Sequence, residues 1–157
     1  MTTKHCTLLF LIRDNQILLA QKKRGFGVGR WNGVGGKIEP DETVEQALVR
    51  ECQEEISVTP IEYHKVAEHD FLQQETNPWR MYVHAYLCNT WEGEPTESEE
   101  MAPQWFNIAD IPYADMWSDD EHWLPLVLDG KKLRANFTFN AQEQLLTHDI
   151  TEVDSLA

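Results

Sequence analysis

The segment from Val44 to Ile56 constrains this chain most: it is free of Gly and Pro, and its apolar stripe turns acidic halfway along. At helical spacing Val44, Ala47 and Leu48 share a face with Glu51 and Glu55, and Glu54 borders it. Thr43-Val44-Glu45-Gln46 has the form of a capping box, so a helix of about four turns is expected to start there and run to Ile56. An apolar stripe marks the side of a helix that faces the core. Continuing it with like charges costs free energy unless a cation sits among them. Two readings fit the spacing alone: a solvated acidic face, common in a chain with 27 Asp and Glu, or hard oxygen ligands suited to Mg2+ or Mn2+.

The text on either side implies a mixed fold. Thr7 to Arg13 and Gln16 to Gln21 are apolar runs divided by Asp14-Asn15, the pattern of a hairpin of buried strands. Six glycines between Gly25 and Gly36, set around Phe26, Trp31 and Asn32, predict a long ordered loop. Ile61 to Phe71 and Met81 to Leu87 read as strands about a polar turn, and Gln104 to Asn107 as a shorter one. Ser118-Asp119-Asp120-Glu121 reads as a second capping box, opening a helix to Leu128 that Pro125 is expected to kink and Gly130 to end. Asn136 to Phe139 and Asp149 to Val153 predict a closing hairpin.

With 157 residues, 41% hydrophobic and 25% charged, the expectation is one domain over 1–157. No apolar run reaches the roughly 18 residues of a membrane span, and no secretory signal opens the chain, so a cytoplasmic protein is expected. Cys6, Cys52 and Cys88 are odd in number and widely spaced, which suggests neither a disulfide framework nor a structural zinc site. The formal charge of −14 disfavours nucleic-acid polymers and anionic membranes as partners, but leaves a small anionic substrate open where a cation neutralises the carboxylates. Lys22, Lys23, Arg24 and Arg30 beside the glycine loop are either a phosphate dock or a local charge balance.

Gly36, Glu42, Arg50, Glu51, Glu54 and Glu55 stand at the spacing G-x5-E-x7-R-E-U-x-E-E-x-G-U, with U a bulky apolar residue. This segment resembles the signature of the Nudix hydrolases. Cys52 replaces a larger aliphatic and Ser57 replaces the Gly, so Ser57 either accepts a left-handed backbone or ends the helix differently. The resemblance implies an α/β (α+β) fold, an α/β/α sandwich on a mixed β-sheet. It also implies that Glu51, Glu54, Glu55 and the Gly36 carbonyl bind Mg2+ or Mn2+, that Arg50 orients a carboxylate, and that Glu100 is a further acidic ligand or base. Without the resemblance, Glu97, Glu99 and Glu100 read as a solvated loop. The implied chemistry is attack of water on phosphorus with release of pyrophosphate, by a monomer acting on a small nucleotide.

Within that family the resemblance runs along nearly the whole chain to the branch that cleaves oxidised purine nucleoside triphosphates such as 8-oxo-dGTP and 2-hydroxy-dATP. By this resemblance Thr7, Lys22, Phe26, Asn32, Phe71 and Met81 line the base pocket with Trp117, Asp119, Asp120 and Trp123. Trp117 offers a stacking surface and Asn32 a donor and an acceptor, while Asp119 and Asp120 are adjacent carboxyls that cannot both ionise in a dry site. On residue type alone the Asp pair is equally a helix N-terminus. Sister readings are hydrolysis of a dinucleotide, nucleotide sugar or ordinary dNTP, and a non-catalytic nucleotide-binding module.

Overall fold

A computed structural model describes residues 1–156. Its strands are β1 (Thr3–Arg13), β2 (Gln16–Lys22), β3 (Trp31–Asn32), β4 (Thr59–Gln73), β5 (Trp79–Glu92), β6 (Met101–Asn107), β7 (Lys132–Phe139) and β8 (Leu145–Val153). Helix α1 (Val44–Ile56) follows β3, and helix α2 (Asp120–Leu128) precedes β7. The strands form one mixed sheet in the order β3-β2-β1-β5-β4-β7-β8, with β6 paired to β2. β1 runs parallel to β5 and β4 parallel to β7, and the other pairs are antiparallel.

Alternation along β1 assigns the two faces. Leu9 and Leu11 point into a cluster with Leu48, Cys52 and Ile56 of α1, while Phe10 points into a second cluster with Trp123, Leu124 and Val127 of α2. A helix on each face of the sheet gives the expected α/β/α layering. β4 and β5 are longer at both ends than the apolar runs that revealed them, because long-range pairing carries polar residues such as Thr59, Gln73 and Thr90 into the ladder.

α1 forms where the capping box predicts. Thr43 Oγ1 accepts from the Gln46 amide at 3.1 Å, and the Gln46 side chain accepts from the Thr43 amide at 2.9 Å. Ser57 takes the left-handed alternative, with φ 62° and ψ 32°, and its amide donates to the Cys52 and Gln53 carbonyls. The second capping box does not form. Asp119 occupies the N-cap of α2 without capping it, and the Ser118 hydroxyl accepts instead from the Leu145 amide at 3.1 Å. The Asp119 carboxyl is buried, and there it accepts from the Trp123 indole at 2.9 Å. Tertiary partners therefore displace the local motif. α2 continues through Pro125 to Leu128, and Gly130 follows at φ 94°.

The stretch after β3 is held against β1 by backbone hydrogen bonds, with Val34 packed beside Leu9 and Leu11. Leu9 and Val34 exchange hydrogen bonds of 2.7 and 2.9 Å, the Thr7 amide donates to the Gly36 carbonyl at 2.9 Å, and the Ile38 amide to His5 at 2.8 Å. A Cβ on Gly35 would stand 1.9 Å from the Thr7 carbonyl oxygen. Only glycine fits this approach. At Ser57, by contrast, glycine would relieve a left-handed conformation at no steric cost. Ser57→Gly should stabilise the fold by about 1 kcal/mol, visible as a rise in Tm of roughly 2–4 °C with an unchanged far-UV spectrum.

Candidate active site

The carboxylates of α1 stand at one end of the sheet, ordered by Arg50. Its guanidinium donates to both oxygens of Glu42 at 2.6 and 2.8 Å, to the Lys37 carbonyl at 3.1 Å, to Glu51 at 3.0 Å and to Glu54 at 3.2 Å. Such a bidentate, charge-assisted pair fixes the loop before α1 against the helix. The Arg50 hydrogen bonds, with the Glu39 amide, hold the Glu42 carboxyl at about 2, well below its usual range.

Glu51 and Glu55, one turn apart, turn inward. The Glu51 side chain is 13% exposed, whereas that of Glu54 is 60% exposed and faces Arg50. Glu55 is buried, the Gly35 amide bonds to it, and its Oε2 has no partner. Burial, reinforced by the charge of Glu51 beside it, pushes the Glu55 carboxyl up to about 8. A Cβ on Gly36 would stand 2.7 Å from the Glu51 carboxyl, so the backbone there abuts the acid directly. Among the described residues no three acidic, His or Cys side chains form a ready-made metal cage. The donor set nevertheless fits a hard divalent cation: two inward carboxylates, one orphaned buried oxygen, and a carbonyl alongside. Glu54 would join by leaving Arg50.

On the other side of Gly35 and Gly36 lies a cavity of about 240 Å³. Thr7, Lys22, Phe26, Asn32, Phe71 and Met81 line it, as do Trp117, Asp119, Asp120 and Trp123, so it gathers every residue assigned to the base pocket from sequence. Cys6 and Trp79 are additional. Asn32 Oδ1 accepts from the Gly33 amide at 2.8 Å, which leaves its NH2 group for a ligand. Thr7 Oγ1 and Asp120 Oδ2 are buried without partners. Each such orphan costs about 1–3 kcal/mol in an empty site and recovers it against a polar ligand. Burial raises both carboxyls of the Asp pair, and Asp119 beside it raises Asp120 further, so the pair favours holding one proton between them.

The mouth of the cavity is aromatic. Phe26 stands 5.0 Å from Trp117 and 5.5 Å from Trp79, and Trp79 and Trp117 each lie 5.8 Å from Phe139. Trp79 was invisible to sequence reasoning because it follows Pro78 at the end of a polar turn, with no periodic neighbour on its N-terminal side. The basic residues are a charge balance more than a dock. Lys23 pairs with Glu97 at 2.6 Å, and Arg24 pairs with Glu99 at 3.5 Å and Glu100 at 2.7 Å. Lys22 and Arg30 line the cavity, and Lys22 stands 3.7 Å from Glu100. Arg30 lies 4.1 Å over the Trp117 ring and pairs with Glu143. Glu100 is thus held by two cations, Arg24 and Lys22.

Comparison with known proteins agrees with this architecture. Residues 3–127 match the model of the NUDIX domain. The oxidized purine nucleoside triphosphate hydrolase of Mus musculus is 44% identical over 154 residues, covering 98% of both chains, and that of Danio rerio is 43% identical over 156 residues, covering 99% of both. Among solved structures, a MutT protein from Bacillus halodurans has a TM-score of 0.82 at 22% identity, covering 94% of this chain and 97% of that one, a likeness of fold. The acidic helix, the glycine strip beside it and these matches converge: the chain belongs to the NUDIX domain family.

Proposed function

We propose that the protein hydrolyses oxidised purine nucleoside triphosphates, including 8-oxo-dGTP and 2-hydroxy-dATP, to the monophosphate and pyrophosphate, and so cleans the nucleotide pool. One observation carries this reading: a cavity with aromatic walls and orphaned polar atoms lies across a two-glycine strip from the inward carboxylates of α1. A purine in the cavity would place its phosphates at that strip. The full-length relatives named as oxidized purine nucleoside triphosphate hydrolases support the choice of substrate.

Glu51, Glu54, Glu55 and the Gly36 carbonyl would hold Mg2+ or Mn2+, with Glu100 as a further acidic ligand or base once Arg24 releases it. When bound, the cation offsets phosphate charge, polarises a phosphoryl oxygen and activates water. The Gly36 oxygen accepts one hydrogen bond from Thr7 and keeps its second lone pair. Arg50 fixes the carboxylate of Glu51, and Lys22 brings positive charge to the cavity wall beside Glu55. On the base side Trp117 stacks, Asn32 donates, and the Asp pair holds one proton for the purine edge, donating from one carboxyl and accepting at the other. Phe26, Phe71, Met81 and Trp123 exclude water around it. The three cysteines are free, which suits a reducing compartment, and a monomer in the cytoplasm completes the reading.

The direct test is kcat/KM with Mg2+ for 8-oxo-dGTP, 2-hydroxy-dATP, dGTP, a dinucleoside polyphosphate and ADP-ribose, with products separated by ion exchange. The oxidised purines should lead by about tenfold or more, and chelation of the metal or Glu55→Gln should abolish turnover. Comparable rates on undamaged nucleotides would withdraw the base assignments and leave the phosphate chemistry.

The Asp pair makes two further predictions. Asp119→Asn and Asp120→Asn should alter the two oxidised substrates unequally, and an equal loss on both would contradict a shared proton. Stability gives an independent readout. Both folded carboxyls sit above their unfolded value, so the native state holds protons more tightly. Its advantage is therefore greatest at low pH and falls as pH rises from the unfolded value of 3.8 toward the raised ones. Tyr113 and Glu121 lie near and Trp123 bonds to Asp119, but Asp120 carries the larger penalty. Asp120→Asn should therefore gain Tm relative to the parent as pH rises above 3.8.

A further inference from the structure

We propose that Glu143 is a positioning residue for the base pocket: by holding Arg30 against the Trp117 ring, it fixes the wall on which a purine stacks. The inference rests on the nucleotide reading above. Arg30 Nη1 lies 2.5 Å from Glu143, and the Arg30 guanidinium carbon lies 4.1 Å over the Trp117 ring. The guanidinium is thus shared between a carboxylate and an indole face, the arrangement that best uses its flat, delocalised charge. Glu143 is 113 positions from Arg30, on the turn between β7 and β8, far from every residue of the NUDIX signature.

That turn is built to present Glu143. Asn140 Oδ1 accepts from the Gln142 and Gln144 amides at 3.0 and 2.9 Å, and the Glu143 amide donates to the Asn140 carbonyl at 3.1 Å. Glu143 itself has φ 63°, a left-handed conformation unfavourable for a side chain of its type. The same turn is tied to two more walls of the pocket. The Leu145 amide donates to Ser118, the residue after Trp117, at 3.1 Å, and the Ala141 amide donates to Glu75, in the turn that ends at Trp79, at 2.9 Å. Three loops that carry Arg30, Trp117 and Trp79 therefore meet on Asn140 to Leu145.

Stability does not account for this convergence. Arg30 and Glu143 have side chains 30% and 32% exposed, and pairs so open to water contribute little to folding. Arg30 itself lines the cavity, with one side on the indole and Nη1 held by Glu143. What the pair does control is the freedom of Trp117. The indole is confined on the glycine-loop side as well, where a Cβ on Gly27 would stand 3.2 Å from its Nε1. A fixed indole offers its stacking surface without first losing side-chain entropy on binding.

The test uses the full chain with Arg30→Met, Glu143→Gln, Glu143→Asp and the double variant Arg30→Met/Glu143→Gln. With 8-oxo-dGTP and Mg2+, Arg30→Met should raise KM roughly threefold to tenfold with kcat unchanged, and Glu143→Gln should raise it less. Glu143→Asp, which retains the charge, should restore the parent KM. The double variant should be no worse than Arg30→Met, because Glu143 acts through Arg30. Acrylamide quenching without nucleotide should increase in Arg30→Met and Glu143→Gln, and that increase should vanish when Trp117 is replaced by Phe. Multiplicative losses in the double variant, parallel falls in kcat and Tm, or unchanged quenching would overturn the proposal. A parent protein inactive on oxidised purine triphosphates but with the expected quenching pattern would refute the substrate reading and leave the clamp standing.

Discussion

The contact on which the site depends is the backbone approach of Gly33 to Ile38 against β1. Four hydrogen bonds of 2.7 to 2.9 Å hold this strip, at a separation that admits no side chain on Gly35 and none on Gly36 without displacing Glu51. One side of the strip borders the cavity and the other abuts the acids of α1. The distance between base and phosphate chemistry is therefore set by two glycine residues and not by flexible side chains. Arg50 completes the arrangement, since its five hydrogen bonds tie the loop before α1 to the helix that carries the carboxylates.

Features legible in the sequence were those decided locally. The capping box at Thr43 needs only residues three apart, and it forms as read; the same motif at Ser118 fails because Leu145 and Trp123 compete for its side chains. Core strands were visible through their apolar runs, yet the ends of β4 and β5 were not, since polar residues there are ordered by cross-strand pairing. The same limit hid Trp79 and Glu143. Each gains its place only when distant segments meet, Trp79 against Phe26 and Phe139, Glu143 against Arg30.

Charge shows the same division between local and long-range order. A chain of formal charge −14 could be expected to spend its few cations on substrate. Most are instead committed internally: Lys23 and Arg24 to the run from Glu97 to Glu100, Arg30 to Glu143, and Arg50 to Glu42, Glu51 and Glu54. Of the cluster beside the glycine loop, Lys22 and Arg30 border the cavity, and Arg30 is already paired with Glu143. A triphosphate brought to this site would thus meet a largely acidic frame, and its binding must depend on a divalent cation to invert the local field.

The two halves of the site also place different demands on burial. On α1, Glu54 is exposed and Arg50 partly wet, so these acids could exchange a salt bridge for a cation at small cost. The floor of the cavity is dry: Asp119, Asp120 and Trp123 are nearly inaccessible, and an error of one proton there would leave a buried polar atom unpaired. Discrimination between purines that differ by one donor or acceptor belongs on the dry side for that reason, where a mismatch cannot be repaired by water. Pairing a tolerant phosphate site with an intolerant base site across a rigid strip allows substrate choice to change by substitutions around the cavity while the acids of α1 and their loop stay as they are.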